Sequence, residues 1–156
     1  MRIYLVSVGR RVPGWIETGY REYAKRMPRE CALRLVEITP GARGKGADPA
    51  RALRDEGQRM LKALPRDARV LALDVRGDAW TTEELAGRVA GWQADGRDVW
   101  LLVGGPEGLD PVCLARAEQR WSLSALTFPH PLVRVMLAEQ LYRAWSILQK
   151  HPYHRA

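Results

Sequence analysis

The stretch "DVWLLVGGPEGL", Asp98 to Leu109, follows one carboxylate with five apolar residues and then stops on two glycines. An apolar run without alternation fits a strand buried on both faces, the kind found in parallel sheets covered by helices. The rest of the chain repeats that theme. "RIYLVSVG" ending at Gly9, "ALRLVEI" (Ala32 to Ile38), "ARVLALDV" (Ala68 to Val75) and "WSLSALTF" (from Trp121) read as further strands, the last a short one running into a loop. Between them lie helical patterns. One is opened by Pro13, carries Trp15, Ile16, Tyr20, Tyr23, Ala24 and Met27 on one stripe, and is stopped by Pro28. Another is capped by Asp48-Pro49 and runs to about Leu64. A third opens on the capping box Thr81 to Glu84 and ends near Asp95-Gly96. A short one runs from Pro111 to about Gln119, and a long one from Val133 to Lys150. Strands alternating with helices predict an α/β fold with a mostly parallel sheet and helices on both faces.

The bulk numbers agree with one domain over residues 1–156. The hydrophobic fraction, 46%, is that of an ordinary globular chain. The longest apolar run, Val99 to Val103, is far too short to span a bilayer, and the first residues lack the pattern of a secretory signal. The expectation is a cytoplasmic protein with no membrane partner. Cys31 and Cys113 stand alone, as reduced thiols. His151 and His154 lack the helical spacing of a zinc site, so no metal is expected. The net charge of +7 points toward a polyanion, although all but four of the 25 basic residues are arginine, which composition bias alone produces. "TPGARGKGAD", Thr39 to Asp48, reads as a mobile basic loop, with Arg43 and Lys45, like Arg10 and Arg11, either holding RNA or merely solvated.

In open α/β sheets ligands bind beyond the carboxyl ends of the strands. Three such ends stand out: "LALDV" (Leu71 to Val75), "LLVGGPEGL" (Leu101 to Leu109) and "SLSALTFPHPL" (Ser122 to Leu132). Gly104 and Gly105 let the backbone approach a ligand, yet the pattern is neither a dinucleotide fingerprint nor a P-loop, and tight-turn chemistry explains it as well. The third end offers small residues, backbone polar groups and apolar walls at Leu126 and Phe128 between fixed prolines, a composition suited to a flat heterocycle, and equally to an ordinary strand-to-helix connection. In the final helix Glu139 and Arg143 have the spacing of a salt bridge, while Val133, Met136, Leu137, Leu141, Ala144 and Leu148 form a core or subunit-facing stripe. The terminal "HPYHRA" holds two of the three histidines. It is either a frayed end or a segment folded back to do chemistry.

Four stretches, "GWIETGYREYAKRMP", "LLVGGPEGL", "SLSALTFPHPLVRVMLAEQLYRAWSI" and "HPYHR", together resemble the RlmH family, the pseudouridine N3-methyltransferases of large-subunit ribosomal RNA within the SPOUT superfamily. The resemblance covers essentially the whole chain in one register. The glycine loop and the tail show no departure, and Phe128 stands at a position more often aliphatic, which leaves a backbone contact intact. The resemblance implies a SPOUT fold with a C-terminal trefoil knot, S-adenosyl-L-methionine as methyl donor, ribosomal RNA on the ribosome as partner, and a homodimer with each site near the subunit interface. It carries the cofactor positions onto Leu73, Gly104 with Gly105, and Leu123, Ser124, Ala125, Leu126, Thr127 and Phe128. It places the tail close to the donor, meeting substrate with the partner subunit. Tyr153, His154 and Arg155 are then the leading catalytic candidates, followed by Glu139, Arg143 and His130: an imidazole or carboxylate to take the N3 proton and an arginine to stabilise the resulting charge. Rival readings are a related enzyme acting on another RNA or base atom, and a non-catalytic RNA-binding protein of the same fold.

Overall fold

The computed structural model describes residues 1–155. Five parallel strands form one sheet in the order β2-β1-β4-β3-β5: β1 Arg2–Val8, β2 Ala32–Ile38, β3 Arg69–Ala79, β4 Val99–Val103 and β5 Gln119–Ser122. The helices are α1 Gly14–Ala24, α2 Pro49–Ala63, α3 Thr82–Asp95, α4 Pro111–Arg116 and α5 His130–Leu148. β4 lies at the centre, and all five of its residues are buried. Its side chains alternate between two cores. Val99, Leu101 and Val103 face the cluster built on α3 and α5, with Leu85, Val89, Leu137 and Leu141. Trp100 and Leu102 face the cluster under α2 and α4, with Met60 and Cys113. The expected architecture is therefore present, with a helical layer on each face of the sheet.

Local chemistry sets the element ends. The Thr81 hydroxyl accepts from the Glu84 N–H and the Glu84 carboxylate accepts from the Thr81 N–H, so the capping box is complete. Asp48 and Asp110 cap α2 and α4, each with proline following.

Several boundaries differ from the sequence reading. α1 ends at Ala24, short of Met27, and Trp15 on its stripe is 65% exposed. α4 stops at Arg116, because the Glu118 N–H is taken by the Val70 carbonyl and the chain passes straight into β5 at Gln119. α5 begins at His130, since prolines are well accommodated in a first helical turn. β3 runs past Val75 to Ala79: Leu73 and Asp78 both register against Trp121, so Asp74 to Gly77 bulge outward beyond the sheet.

A buried cation ties α5 to the sheet. Arg134 is 1% exposed; it donates to the Gly9 carbonyl at 2.6 Å, to Glu37 at 3.1 Å and to the Ser7 hydroxyl at 3.3 Å. Replacing it by methionine leaves the buried Ser7 hydroxyl and the partly buried Gly9 carbonyl and Glu37 carboxylate without their donor. Arg134→Met is expected to lose about 3 kcal/mol in urea unfolding; a loss below about 0.5 kcal/mol rejects this account.

Candidate active site

The ends of β3, β4 and β5 converge on one cavity of about 870 Å³, a size that suits a nucleoside-sized ligand. Its walls are the bulge Leu73 to Arg76, the loop Val103 to Leu109, and the segment from Trp121 to His130, with Leu114 and Val133 completing it. Of the cofactor positions, Leu73, Gly104, Gly105, Leu123, Ser124, Leu126, Thr127 and Phe128 all line this space. Ala125 does not, so the third strand end contributes its residues on either side of that alanine. The 123–128 segment is held in shape by its own serines. Ser122 Oγ donates to the Ser124 carbonyl at 3.0 Å, and Ser124 Oγ accepts from the Leu126 N–H at 3.0 Å. That turn leaves Leu126 69% exposed at the mouth. Apolar walls with backbone polar groups between them fit an adenine-bearing donor.

His130 also lines the cavity. Burial, then the charges of Arg134 and Arg43, hold its imidazole below the ordinary histidine range, so at neutral pH it is uncharged and able to accept a proton.

The tail is folded back. Lys150 adopts a left-handed φ of 56° and the His151 N–H bonds the Ser146 carbonyl at 2.8 Å. Pro152–His154 then form a single 3-10 turn, capped by His151 Nδ1 accepting from the Tyr153 N–H. Tyr153 Oη donates to Glu139 at 3.1 Å. Arg143 grips the same carboxylate oxygen at 2.6 Å and lies 5.0 Å from the Tyr153 ring centre. Glu139, Arg143 and Tyr153 therefore form one half-buried cluster, not a solvated surface pair. Burial, and then the neighbouring Glu139 charge, push the Tyr153 hydroxyl up to about 12, so it stays protonated and serves as a donor. His154 is half-buried with its Nδ1 buried and unpartnered among the described residues, and Arg155 is exposed.

Among the described residues, none of the tail lines the cavity of its own chain. His130 and Val133 reach the cavity from the first turn of α5. Glu139 lies about 13 Å from His130 along the axis at the standard helical rise. Within one chain these cavity residues sit on the first turn of α5, while the tail packs against its middle and C-terminal half.

The structure also shows what spacing alone concealed. Arg76 and Arg120 line the cavity beside strand ends already singled out, and both are exposed. Arg43 is neither mobile nor free for a phosphate. It pairs with Glu56 of α2 and, at 2.6 Å, with Glu107 of the β4 loop. These partners lie 13 and 64 residues away, so no local signal reveals them.

The pattern of the family described as "Predicted SPOUT methyltransferase" matches residues 1–154. A protein of Alkalilimnicola ehrlichii named ribosomal RNA large subunit methyltransferase H is 69% identical over 156 residues, all of both chains. A protein of the same name from Methylococcus capsulatus is 58% identical over 99% of this chain and 100% of its own. Among solved structures, a probable methylase family protein from Haemophilus influenzae superposes with a TM-score of 0.56 at 14% identity, covering 99% of this chain and 70% of that one. A structure described under 2-OH methylation of C/U34 on tRNA gives 0.50 at 23% identity, covering 96% and 98%. The two structures share the fold; the two sequence relatives, matched from end to end, share much more. On the three strand-end loops, the refolded tail and these matches together, this chain belongs to the SPOUT methyltransferases and, among them, to the RlmH family.

Proposed function

We propose that this protein transfers a methyl group from S-adenosyl-L-methionine to N3 of a pseudouridine in large-subunit ribosomal RNA, in the cytoplasm, on assembled ribosomes and as a homodimer. The observation that carries the reading is the convergence of three strand-end loops on one apolar-walled cavity in a chain so closely related to ribosomal RNA methyltransferases. No helix among the described residues is long and apolar enough to cross a membrane, in keeping with that setting.

When bound, S-adenosyl-L-methionine supplies an electrophilic methyl group on a sulfonium. Leu73, Leu126 and Phe128 would hold its adenine, and Gly104 and Gly105 would leave room for it at the backbone. N3 of the base becomes a nucleophile only when its proton leaves. His130, uncharged and at the cavity, is a proton acceptor that the same chain supplies. His154 and Arg155 come from the partner subunit, the arginine stabilising charge on the carbonyl oxygens. Glu139, Arg143 and Tyr153 are positioning residues that hold the tail.

The geometry favours a dimer in which two α5 helices lie antiparallel. A two-fold axis there sets the tail end of one helix beside the cavity end of the other. Trp15, exposed on the helix packed against α5, provides apolar surface for that contact. The same reading includes a trefoil knot formed by the segment from β5 through α5.

Mass spectrometry of ribosomal RNA from cells lacking this protein is expected to show the loss of one N3-methylated pseudouridine, restored by the wild-type gene. Unaltered methylation in those cells, or restoration by a vector without the gene, rejects the assignment.

A further inference from the structure

The loop over residues 39–48, expected to be mobile, is pinned along its length. Arg59 of α2 donates to the Thr39 and Pro40 carbonyls at 2.9 and 3.1 Å. Gly41 lies so close to α2 that a Cβ there falls 2.4 Å from the Ala52 carbonyl oxygen. Its N–H donates at 2.9 Å to Glu56, a carboxylate on the buried face of α2 that is only 2% exposed. Asp48 closes the segment as the cap of α2. Only the tip around Lys45 projects.

Arg43 completes the arrangement and extends it to the cavity. Its NH1 and NH2 engage Glu56, while its Nε and NH2 donate to Glu107 at 2.9 and 2.6 Å. Glu107 lines the cavity within the Gly104–Leu109 loop, and Glu56 sits directly beneath Gly105. One planar guanidinium thus joins a buried carboxylate of the core to the loop that forms a cavity wall. Arginine can do this because its donors fan out in a fixed plane; a lysine offers a point charge that satisfies one carboxylate at a time.

We propose that Arg43 is a positioning residue for methyl transfer, clamping the Gly104–Leu109 wall through Glu107 to Glu56 so that the donor meets a preformed surface. The proposal rests on the donor assignment above and adds a residue outside the cavity to its machinery. The free loop has three glycines and one proline between Val103 and Leu109. Such a segment samples many conformations unless something external fixes it. The clamp removes that freedom before the donor arrives.

Arg43→Met strands Glu56 as a buried charge, so it is set aside as a test because the chain can fail to fold. Two milder variants open only the outer arm. Glu107→Gln removes the exposed carboxylate, and Arg43→Lys keeps a cation on Glu56 while losing the fork. Each is expected to weaken S-adenosyl-L-methionine binding in calorimetry about fivefold, and the double variant about as much as either alone, because both break one contact. In methylation assays the donor KM rises while kcat stays within about twofold. A merely structural role instead reduces the quantity of active enzyme at unchanged KM. Amide hydrogen exchange of the donor-free protein reads the clamp directly, with residues 104–109 exchanging about tenfold faster in each variant and β4 unchanged. Unaltered protection of that loop, or wild-type donor affinity in both single variants, overturns the clamp. Failure of the unaltered protein to bind donor overturns the functional reading instead, and the donor role of the clamp with it.

Discussion

Deleting Tyr153 to Ala156 is expected to abolish methyl transfer to ribosomes, by at least about 100-fold, while donor binding and dimer assembly stay within about twofold of the intact protein. The two outcomes separate because the tail and the cavity are separate. No described tail residue lines the cavity of its own chain, so the proposed donor surface is expected to survive the deletion. The tail is nevertheless built and not frayed. Tyr153 packs its ring 4.7 Å from Tyr142 and bonds Glu139 through its hydroxyl. Arg143 spans Glu139 and the Tyr153 ring, so the turn carrying His154 and Arg155 is fixed at the end of α5. Among the described residues His154 Nδ1 is buried without a hydrogen-bond partner, an unmet polar atom in an otherwise ordered turn. Single variants refine the point. Arg155→Ala lowers turnover with the turn intact, whereas Tyr153→Phe removes the Glu139 bond and acts by loosening the turn. Radiolabel incorporation into ribosomes, alongside calorimetry with S-adenosyl-L-methionine, measures both quantities. Full turnover in the truncated protein removes the tail from the mechanism.

The parallel sheet was legible because its physics is local. Val99 to Val103 is apolar on both faces, and Thr81 with Glu84 announces a helix start without help from the rest of the chain. The three strand ends were legible by the general rule for open sheets, and all three meet in the cavity. Tertiary competition hid the rest. Nothing near Glu118 says that its N–H prefers the Val70 carbonyl to another turn of helix. Trp15 fits the apolar stripe of α1 by spacing, yet α5 covers only part of that stripe. Arg43 illustrates the limit most clearly. Among glycines it has every mark of a solvated cation, and its two carboxylate partners lie on other elements. The role of the tail is hidden for a different reason. The resemblance describes a site shared between subunits, while a single chain shows only that its own α5 separates the two halves.

Gly104→Ala is the substitution expected to damage the cavity most. A Cβ at Gly104 falls 2.3 Å from the carbonyl carbon and oxygen of Gly108 and 2.8 Å from the Leu109 nitrogen. All three obstacles are backbone atoms, so no side-chain rotation relieves them. The loop itself is tight: the Gly108 N–H bonds the Gly105 carbonyl at 3.0 Å, and Gly108 holds a φ of +80°. One methyl group therefore forces the whole turn away from β4, carrying Glu107 off Arg43 and opening the wall between Leu73 and Phe128. β4 ends at Val103, and the two cores lie one on each face of the sheet away from this turn, so the fold persists at a cost of about 1–3 kcal/mol. Donor affinity falls by about 50-fold or more, because the surface that preorganised it is gone. The contrasting substitution is Gly91→Ala on the exposed side of α3, where an added Cβ meets nothing within 4 Å. There the alanine stabilises the helix by up to about 1 kcal/mol and donor binding is unchanged. Calorimetry with S-adenosyl-L-methionine and thermal unfolding of the two variants side by side distinguish a blocked cavity from a general response to the added methyl group. Wild-type affinity in Gly104→Ala means that the donor does not rest on this loop at all.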